Sequence, residues 1–269
     1  MKQDFQFKSK YDVNDLVRIM QLLRGENGCP WDREQTHESI RKNLIEETYE
    51  AVEAIDKKDS HLLCEELGDV LMQVVFHAQM EAEAGVFDFS DVADGVCKKL
   101  IERHPHVFGD TEVTDADEVL VNWDKIKSAS KNRKTVTDKM LSVPRQLPAL
   151  MRACKVQEKA AKVGFDWPDE EGALQKFEEE TGELRAAVQN KDATNTEEEL
   201  GDLLFSVVNA ARLLSVDPEE ALTKATDKFL NRFSVVEKLA GERGITMENT
   251  PLPELDKLWD EAKATLESK

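Results

Sequence analysis

Leu44-Ile45-Glu46-Glu47-Thr48-Tyr49-Glu50-Ala51-Val52-Glu53-Ala54-Ile55, followed by Leu62-Leu63-Cys64-Glu65-Glu66-Leu67-Gly68-Asp69-Val70-Leu71, decides the fold. Leu44, Ile45, Thr48, Val52 and Ile55 recur at helical spacing along one side of the first segment. Leu63, Leu67, Val70, Leu71, Val74 and Val75 do the same in the second. Each segment therefore reads as an amphipathic helix with an acidic side. The acidic pattern returns later as Glu179-Glu180-Thr181-Gly182-Glu183, then Glu198-Glu199-Leu200-Gly201-Asp202. The gap from the last Glu of the first block to the Glu before Leu-Gly-Asp is the same in both copies (66 − 50 = 16; 199 − 183 = 16). Charge runs on solvated helix faces have no reason to keep such a spacing.

The repeat extends further. Lys99-Leu100-Ile101-Glu102-Arg103 and then Trp123 follow the first acidic pair; Lys228-Phe229-Leu230-Asn231-Arg232 and then Trp259 follow the second. The period is that of duplicated domains rather than of a solenoid. Between Lys127 and Pro148 the periodicity weakens through a basic, polar run punctuated by Pro144 and Pro148. No alternating strand pattern appears. The expectation is an all-α chain of two tandem helical-bundle domains, residues 1–130 and 147–269, joined by a linker over 131–146.

Composition narrows the function. With 36 Lys and Arg against 55 Asp and Glu in 269 residues, the net charge of −19 disfavours a nucleic-acid partner. It leaves room for a small phosphorylated substrate, because a bound cation and a few local basic groups can reverse the field in a pocket. Cys29, Cys64, Cys97 and Cys154 are scattered, without the paired spacing of a zinc ribbon or a disulfide framework. The Met1-Lys2-Gln3-Asp4 start lacks an apolar signal segment and no run is long enough to span a membrane. No membrane partner and a cytoplasmic setting are expected.

Glu47 and Glu50, like Glu66 and Asp69, stand three residues apart and so project from one side of a helix. Two such helices packed together converge four carboxylates, which repel one another and raise their pKa values unless a cation compensates. A hard divalent ion such as Mg²⁺ fits all-oxygen ligation. The second site would use Glu180, Glu183, Glu199 and Asp202. Gly68 and Gly201, unfavourable inside helices by about 1 kcal/mol relative to alanine, are expected where a neighbouring helix or a ligand approaches closely. Lys228 and Arg232 project from one helix face and suit phosphate oxygens, although such pairs are ordinarily surface decoration. Trp259 is read either as core or as a platform for a base. The five histidines all lie in the first half and carry no repeated signal; His104-Pro105-His106 is read as a loop or cap. There is no Gly-x-x-x-x-Gly-Lys-Ser/Thr phosphate loop and no sign of a Ser or Cys nucleophile.

Glu-Glu-x-x-Glu followed by Glu-x-x-Asp, twice in one chain, resembles the MazG family of nucleoside triphosphate pyrophosphohydrolases. Gly28-Cys29-Pro30-Trp31-Asp32-Arg33-Glu34-Gln35-Thr36-His37 resembles that family's N-terminal signature. So does Asp202-Leu203-Leu204-Phe205-Ser206-Val207-Val208-Asn209-Ala210-Ala211-Arg212, running on to Lys228-Phe229-x-x-Arg232-Phe233. The resemblance covers nearly the whole chain. It implies Mg²⁺-dependent cleavage of NTPs and dNTPs between the α and β phosphates, with Mn²⁺ as a substitute ion, in helical-bundle domains of a homodimer. By motif match it implies Glu180, Glu183, Glu199 and Asp202 as metal ligands, Lys228 and Arg232 on the triphosphate, Trp259 on the nucleotide, and Glu179 as the group that orients or deprotonates water. A nucleotide- or metal-sensing protein without turnover, and a purely structural helical adaptor, are the competing readings.

The halves are unequal. Aligning the Glu-Leu-Gly-Asp blocks sets Asn209 opposite Phe76 (209 − 202 = 7; 76 − 69 = 7) and Arg212 opposite Gln79. Asn209 and Arg212 are extra groups for a polar or anionic ligand, so the C-terminal site is expected to carry most of the chemistry.

Overall fold

A computed structural model describes residues 5–116, 118–119, 122–123, 126–127 and 135–267. The chain divides into two compact units, Met1–Lys131 and Asn132–Lys269. Among the described residues the secondary structure is entirely helical, and no helix is long and apolar enough to cross a membrane. The basic segment 128–134, four residues of the expected linker included, lies outside the described residues. The rest of that linker contains a short helix, Val136–Leu141, which packs on the helix that follows it.

The first unit runs α1 (Val13–Arg24), α2 (Pro30–Glu34), α3 (Arg41–Asp56), α4 (Ser60–Glu83), α5 (Phe89–Arg103) and α6 (Pro105–Phe108). Asp12 starts α1 with a capping box, accepting from the Asn14 and Asp15 amides while Asp15 accepts from the Asp12 amide. Met20 on α1 then packs with Ile40, Val75, Phe76 and Met80 to form the core of the unit. The Gly28–His37 signature folds back onto the end of α1. The Cys29 amide donates to the Leu23 carbonyl at 2.8 Å, and a Cβ at Gly28 would lie 2.1 Å from that same oxygen, so only glycine fits. Arg24, its side chain nearly buried, bridges to Glu83 on α4 and donates to the Asp32 carbonyl.

The second unit runs α7 (Val136–Leu141), α8 (Ala149–Ala161), α9 (Glu170–Asn190), α10 (Ala193–Leu213), α11 (Pro218–Glu242), a short 3₁₀ turn and α12 (Leu252–Glu267). Leu258 and Ala262 on α12 interlock with Val236 and Ala240 on α11.

Each unit is organised by one antiparallel hairpin, α3 with α4 and α9 with α10. Both hairpins turn by the same device. Lys58 and Lys191 adopt left-handed backbone, with φ 55° and 54°, and the next residue, Asp59 or Asp192, caps the returning helix. That turn sets the register. Glu47 and Asp69 each lie eleven residues from Lys58 (58 − 47 = 11; 69 − 58 = 11), as Glu180 and Asp202 do from Lys191 (191 − 180 = 11; 202 − 191 = 11). Glu50 and Glu66 lie eight away (58 − 50 = 8; 66 − 58 = 8), matched by Glu183 and Glu199 (191 − 183 = 8; 199 − 191 = 8). The conserved 16-residue gap is therefore the register of an antiparallel hairpin that places acidic pairs at equal heights.

Ile45, Val52, Ile55, Leu67 and Leu71 form an apolar face of the first hairpin that is exposed among the described residues. Leu200, Leu204 and Phe205 are likewise exposed on the second. A Cβ at Gly68 or Gly201 would meet nothing within 4 Å, so no neighbouring helix of the described chain accounts for either glycine.

Candidate active site

The hairpin register brings Glu180, Glu199 and Asp202 together, with one oxygen from each within 4.8 Å of the others. Glu47, Glu66 and Asp69 form the same cluster in the first unit. Glu183 and Glu50 are outside these tight triads but stand near enough to act on them. Partial desolvation, followed by the charges of Glu183, Glu180 and Asp202, raises the Glu199 pKa. Desolvation and then the Asp69 and Glu50 charges raise that of Glu47; desolvation and then the Glu50 and Asp69 charges raise that of Glu66. Desolvation and neighbouring charge both disfavour the ionised carboxylates, and a cation would favour them.

The donor set fits Mg²⁺. All ligating atoms are carboxylate oxygens, which hard cations prefer. Glu180 is 5% exposed, and its Oε2 is buried with no hydrogen-bond partner. A buried carboxylate oxygen left unpaired is costly unless a ligand meets it.

Lys176 was not singled out from sequence, although it stands one helical turn before Glu180. Its Nζ lies 2.7 Å from Glu180 Oε1 and 3.0 Å from Glu179 Oε1, and these bonds, that to Glu180 foremost, raise its pKa. Glu179 is thus held at the exposed edge of the cluster. The corresponding residue in the first unit is Asn43 (180 − 176 = 4; 47 − 43 = 4), so that cluster lacks the ammonium.

Lys228 and Arg232 on α11 line a surface cavity with Asn231 and Glu267, and none of the three clustered carboxylates lines it. Arg232 lies 3.6 Å from Glu267 and sits over the Trp259 ring at 6.0 Å. Trp259 also packs on Phe229, at 5.1 Å between ring centres, and against the α11–α12 core. Arg103 and Trp123 repeat the cation–ring pair in the first unit at 5.3 Å.

Arg212 is not a free cation for an anionic ligand. Its guanidinium forks onto Asp166, with Nη1 2.9 Å from Oδ2, and it also donates to Asn209 Oδ1. The Arg212 bond holds the Asp166 carboxyl below its ordinary range. In the first unit Phe76, which replaces Asn209, is buried in the core.

Histidine carries more structure than its scatter in the sequence suggests. His37 Nε2 meets Glu81 at 2.8 Å, and His37 Nδ1 meets His77 Nδ1 at 2.7 Å. With Glu81 accepting from Nε2–H, His37 Nδ1 accepts from His77 Nδ1–H, which leaves His77 Nε2 buried, neutral and unpartnered. Burial, then the neighbouring His37, lowers the His77 pKa. The sign follows: the unfolded chain takes up the proton first, so this contribution is full above the ordinary histidine pKa of about 6.5 and is lost as pH falls through the native value. Thermal unfolding from about pH 7.5 to about pH 5.5 should show the loss, and His77→Gln should flatten it; an unchanged pH slope in the variant counts against this assignment. His104 meets the capping expectation, with Nδ1 2.6 Å from the Leu100 carbonyl at the end of α5.

Two copies of a helical hairpin, each converging three carboxylates, define an all-α protein with paired acidic clusters that are candidate sites for a hard cation. The family of that class is also shown by comparison. Residues 35–108 and 169–236 match the MazG nucleotide pyrophosphohydrolase domain, and the chain belongs to the MazG family. It is 49% identical over 249 residues to the nucleoside triphosphate pyrophosphohydrolase/pyrophosphatase MazG of Thermotoga maritima, covering 93% of this chain and 94% of that protein. It is 44% identical over 256 residues to the nucleoside triphosphate pyrophosphohydrolase of Escherichia coli K12, covering 93% and 97%. The uncharacterised YabN of Bacillus subtilis is 49% identical over 257 residues, which is 95% of this chain but 52% of that protein.

Proposed function

We propose that the chain is a Mg²⁺-dependent enzyme that hydrolyses NTPs and dNTPs between the α and β phosphates, giving nucleoside monophosphate and pyrophosphate. The observation that carries the reading is the convergence of Glu180, Glu199 and Asp202 around a buried, unpartnered carboxylate oxygen in a chain of the MazG family. Glu180, Glu199 and Asp202, with Glu183 beside them, would hold the ion; Mn²⁺ satisfies the same oxygen set. The bound ion supplies polarisation of the phosphoryl oxygens and a water of lowered pKa. Glu179, beside the cluster and bonded to Lys176, is proposed to orient the attacking water and accept its proton. Lys228 and Arg232 are proposed to hold the outer phosphates and to stabilise charge on the departing pyrophosphate. Asn209 and Trp259 are assigned to the nucleoside end.

Glu47, Glu50, Glu66 and Asp69 are proposed as a second cation site of lesser catalytic weight, because Asn43 and Phe76 stand where Lys176 and Asn209 do in the other unit. The exposed apolar faces of the hairpins support a homodimer in which one copy covers those of the other. A cytoplasmic setting accords with the scattered free cysteines.

A screen of common NTPs and dNTPs with Mg²⁺, assayed for pyrophosphate, tests the activity. Release that EDTA abolishes is expected. Nucleotide binding without release would favour a sensor, and neither binding nor release would favour a structural adaptor.

A further inference from the structure

His37 closes the Gly28–His37 signature, whose residues take no part in the hydrolysis proposed above. It meets α4 at an imidazole pair. His37 Nδ1 and His77 Nδ1 lie 2.7 Å apart, and the two rings are parallel within 3° with their centres 5.0 Å apart. Two nitrogens do not come that close in a face-to-face stack, so the rings meet edge to edge. Behind the pair, Glu81 holds His37 Nε2 at 2.8 Å.

Two buried polar atoms beside this pair have no partner. Gln73 is 5% exposed with its Oε1 orphaned, and His77 Nε2 is orphaned as well. The two residues stand one turn apart on the same side of α4. While a proton on His77 Nδ1 joins the two rings, both orphans are acceptors and neither serves the other. Each then bears the cost of burial without a bond. The other neutral tautomer reverses this, because His77 Nε2–H becomes a donor one turn from Gln73 Oε1. That tautomer leaves two bare Nδ1 lone pairs facing each other, which is unfavourable unless a cation stands between them.

A transition ion supplies that cation. Neutral imidazole nitrogens suit Zn²⁺, whereas Mg²⁺ prefers the all-oxygen clusters. Zn–N bonds of about 2.0–2.1 Å in tetrahedral geometry set the nitrogens about 3.3 Å apart, so the rings need part by only about 0.6 Å. Glu81 already has the place of the carboxylate that orients a metal-bound histidine through its other ring nitrogen. The His37 side chain is 42% exposed, which gives an ion an entry path and leaves room for water to complete its coordination. The second unit has Ser206, Ala210 and Leu214 at the positions of Gln73, His77 and Glu81, each 133 residues on (202 − 69 = 133). The set is therefore separate from the repeated carboxylate clusters.

We propose that His37 and His77 form a Zn²⁺ site in which the ion binds both Nδ1 atoms, Glu81 orients His37, and Gln73 accepts from His77 Nε2–H. Binding moves the His77 proton from Nδ1 to Nε2 through solvent, with no net gain or loss of protons. The ion ties the signature segment to α4, and the site stands independently of the hydrolytic reading.

Calorimetric titration of the full chain with Zn²⁺ in excess Mg²⁺ tests the site, with nitrogen-15 NMR of the histidines as a second reading. Wild type should bind one more Zn²⁺ than His37→Gln or His77→Gln, and that ion should raise the melting temperature. The NMR should show the His77 proton move from Nδ1 to Nε2 as the ion binds. Glu81→Gln should keep the ion count and weaken the binding by about 10–100-fold. If His77→Gln does not fold, as judged by its melting curve, His37→Gln, altered at a more exposed ring, carries the comparison. An equal Zn²⁺ count in wild type and His37→Gln, unaltered affinity in Glu81→Gln, or a His77 proton already on Nε2 without the ion would overturn the proposal.

Discussion

Glu199→Gln should lower pyrophosphate release by about a thousandfold while raising the melting temperature of the metal-free protein. The loss follows from removing one oxygen ligand of the ion that stabilises charge in the transition state, a contribution of several kcal/mol. The gain in stability has the opposite sign because desolvation, and then the charges of Glu183, Glu180 and Asp202, make the Glu199 charge unfavourable where no cation offsets it. The rise in melting temperature that Mg²⁺ gives wild type should also shrink in the variant. Activity loss with a lowered metal-free melting temperature would instead indicate misfolding. Glu66→Gln removes the matching carboxylate of the first unit and should change the rate by no more than about twofold. A collapse confined to Glu66→Gln would reverse the assignment of the two sites.

Leu258→Ala is expected to cost the second unit about 2–5 kcal/mol. Leu258 is 2% exposed between α11 and α12, and its neighbours Ala240 and Ala262 are too small to fill the space it would leave. For a unit of this size each kcal/mol corresponds to about 2–4 °C in melting temperature. The same packing holds Trp259 and Glu267 against Arg232, so the variant should also raise KM for the triphosphate. Thermal denaturation and steady-state kinetics check both parts. A melting temperature within about 1 °C of wild type would show that this interface does not hold α12.

The hairpins were legible because helical spacing and the 16-residue gap are both local quantities. Spacing does not state why the gap is fixed, since the left-handed turns at Lys58 and Lys191 set the register and lysine carries no mark for that conformation. Convergence of Glu180, Glu199 and Asp202 follows from the pattern. The state of Arg212 does not, because Asp166 lies 46 residues away and nothing in the spacing links the two. Lys176 was within reach of an i, i+4 reading from Glu180. The orphaned oxygen of Gln73 was not, because an unpartnered atom is defined by its surroundings rather than by its neighbours in sequence. The apolar stripes were legible as one side of each amphipathic helix, yet several of their residues are exposed among the described residues; periodicity identifies a face that needs cover without naming what covers it.

Phosphorus NMR of ATP hydrolysis in oxygen-18-enriched water tests the central claim, that this chain directs water to the α phosphorus in the presence of Mg²⁺. Equimolar AMP and pyrophosphate should form, with the isotope shift on AMP. Formation of ADP and inorganic phosphate, or the isotope in pyrophosphate, would contradict it.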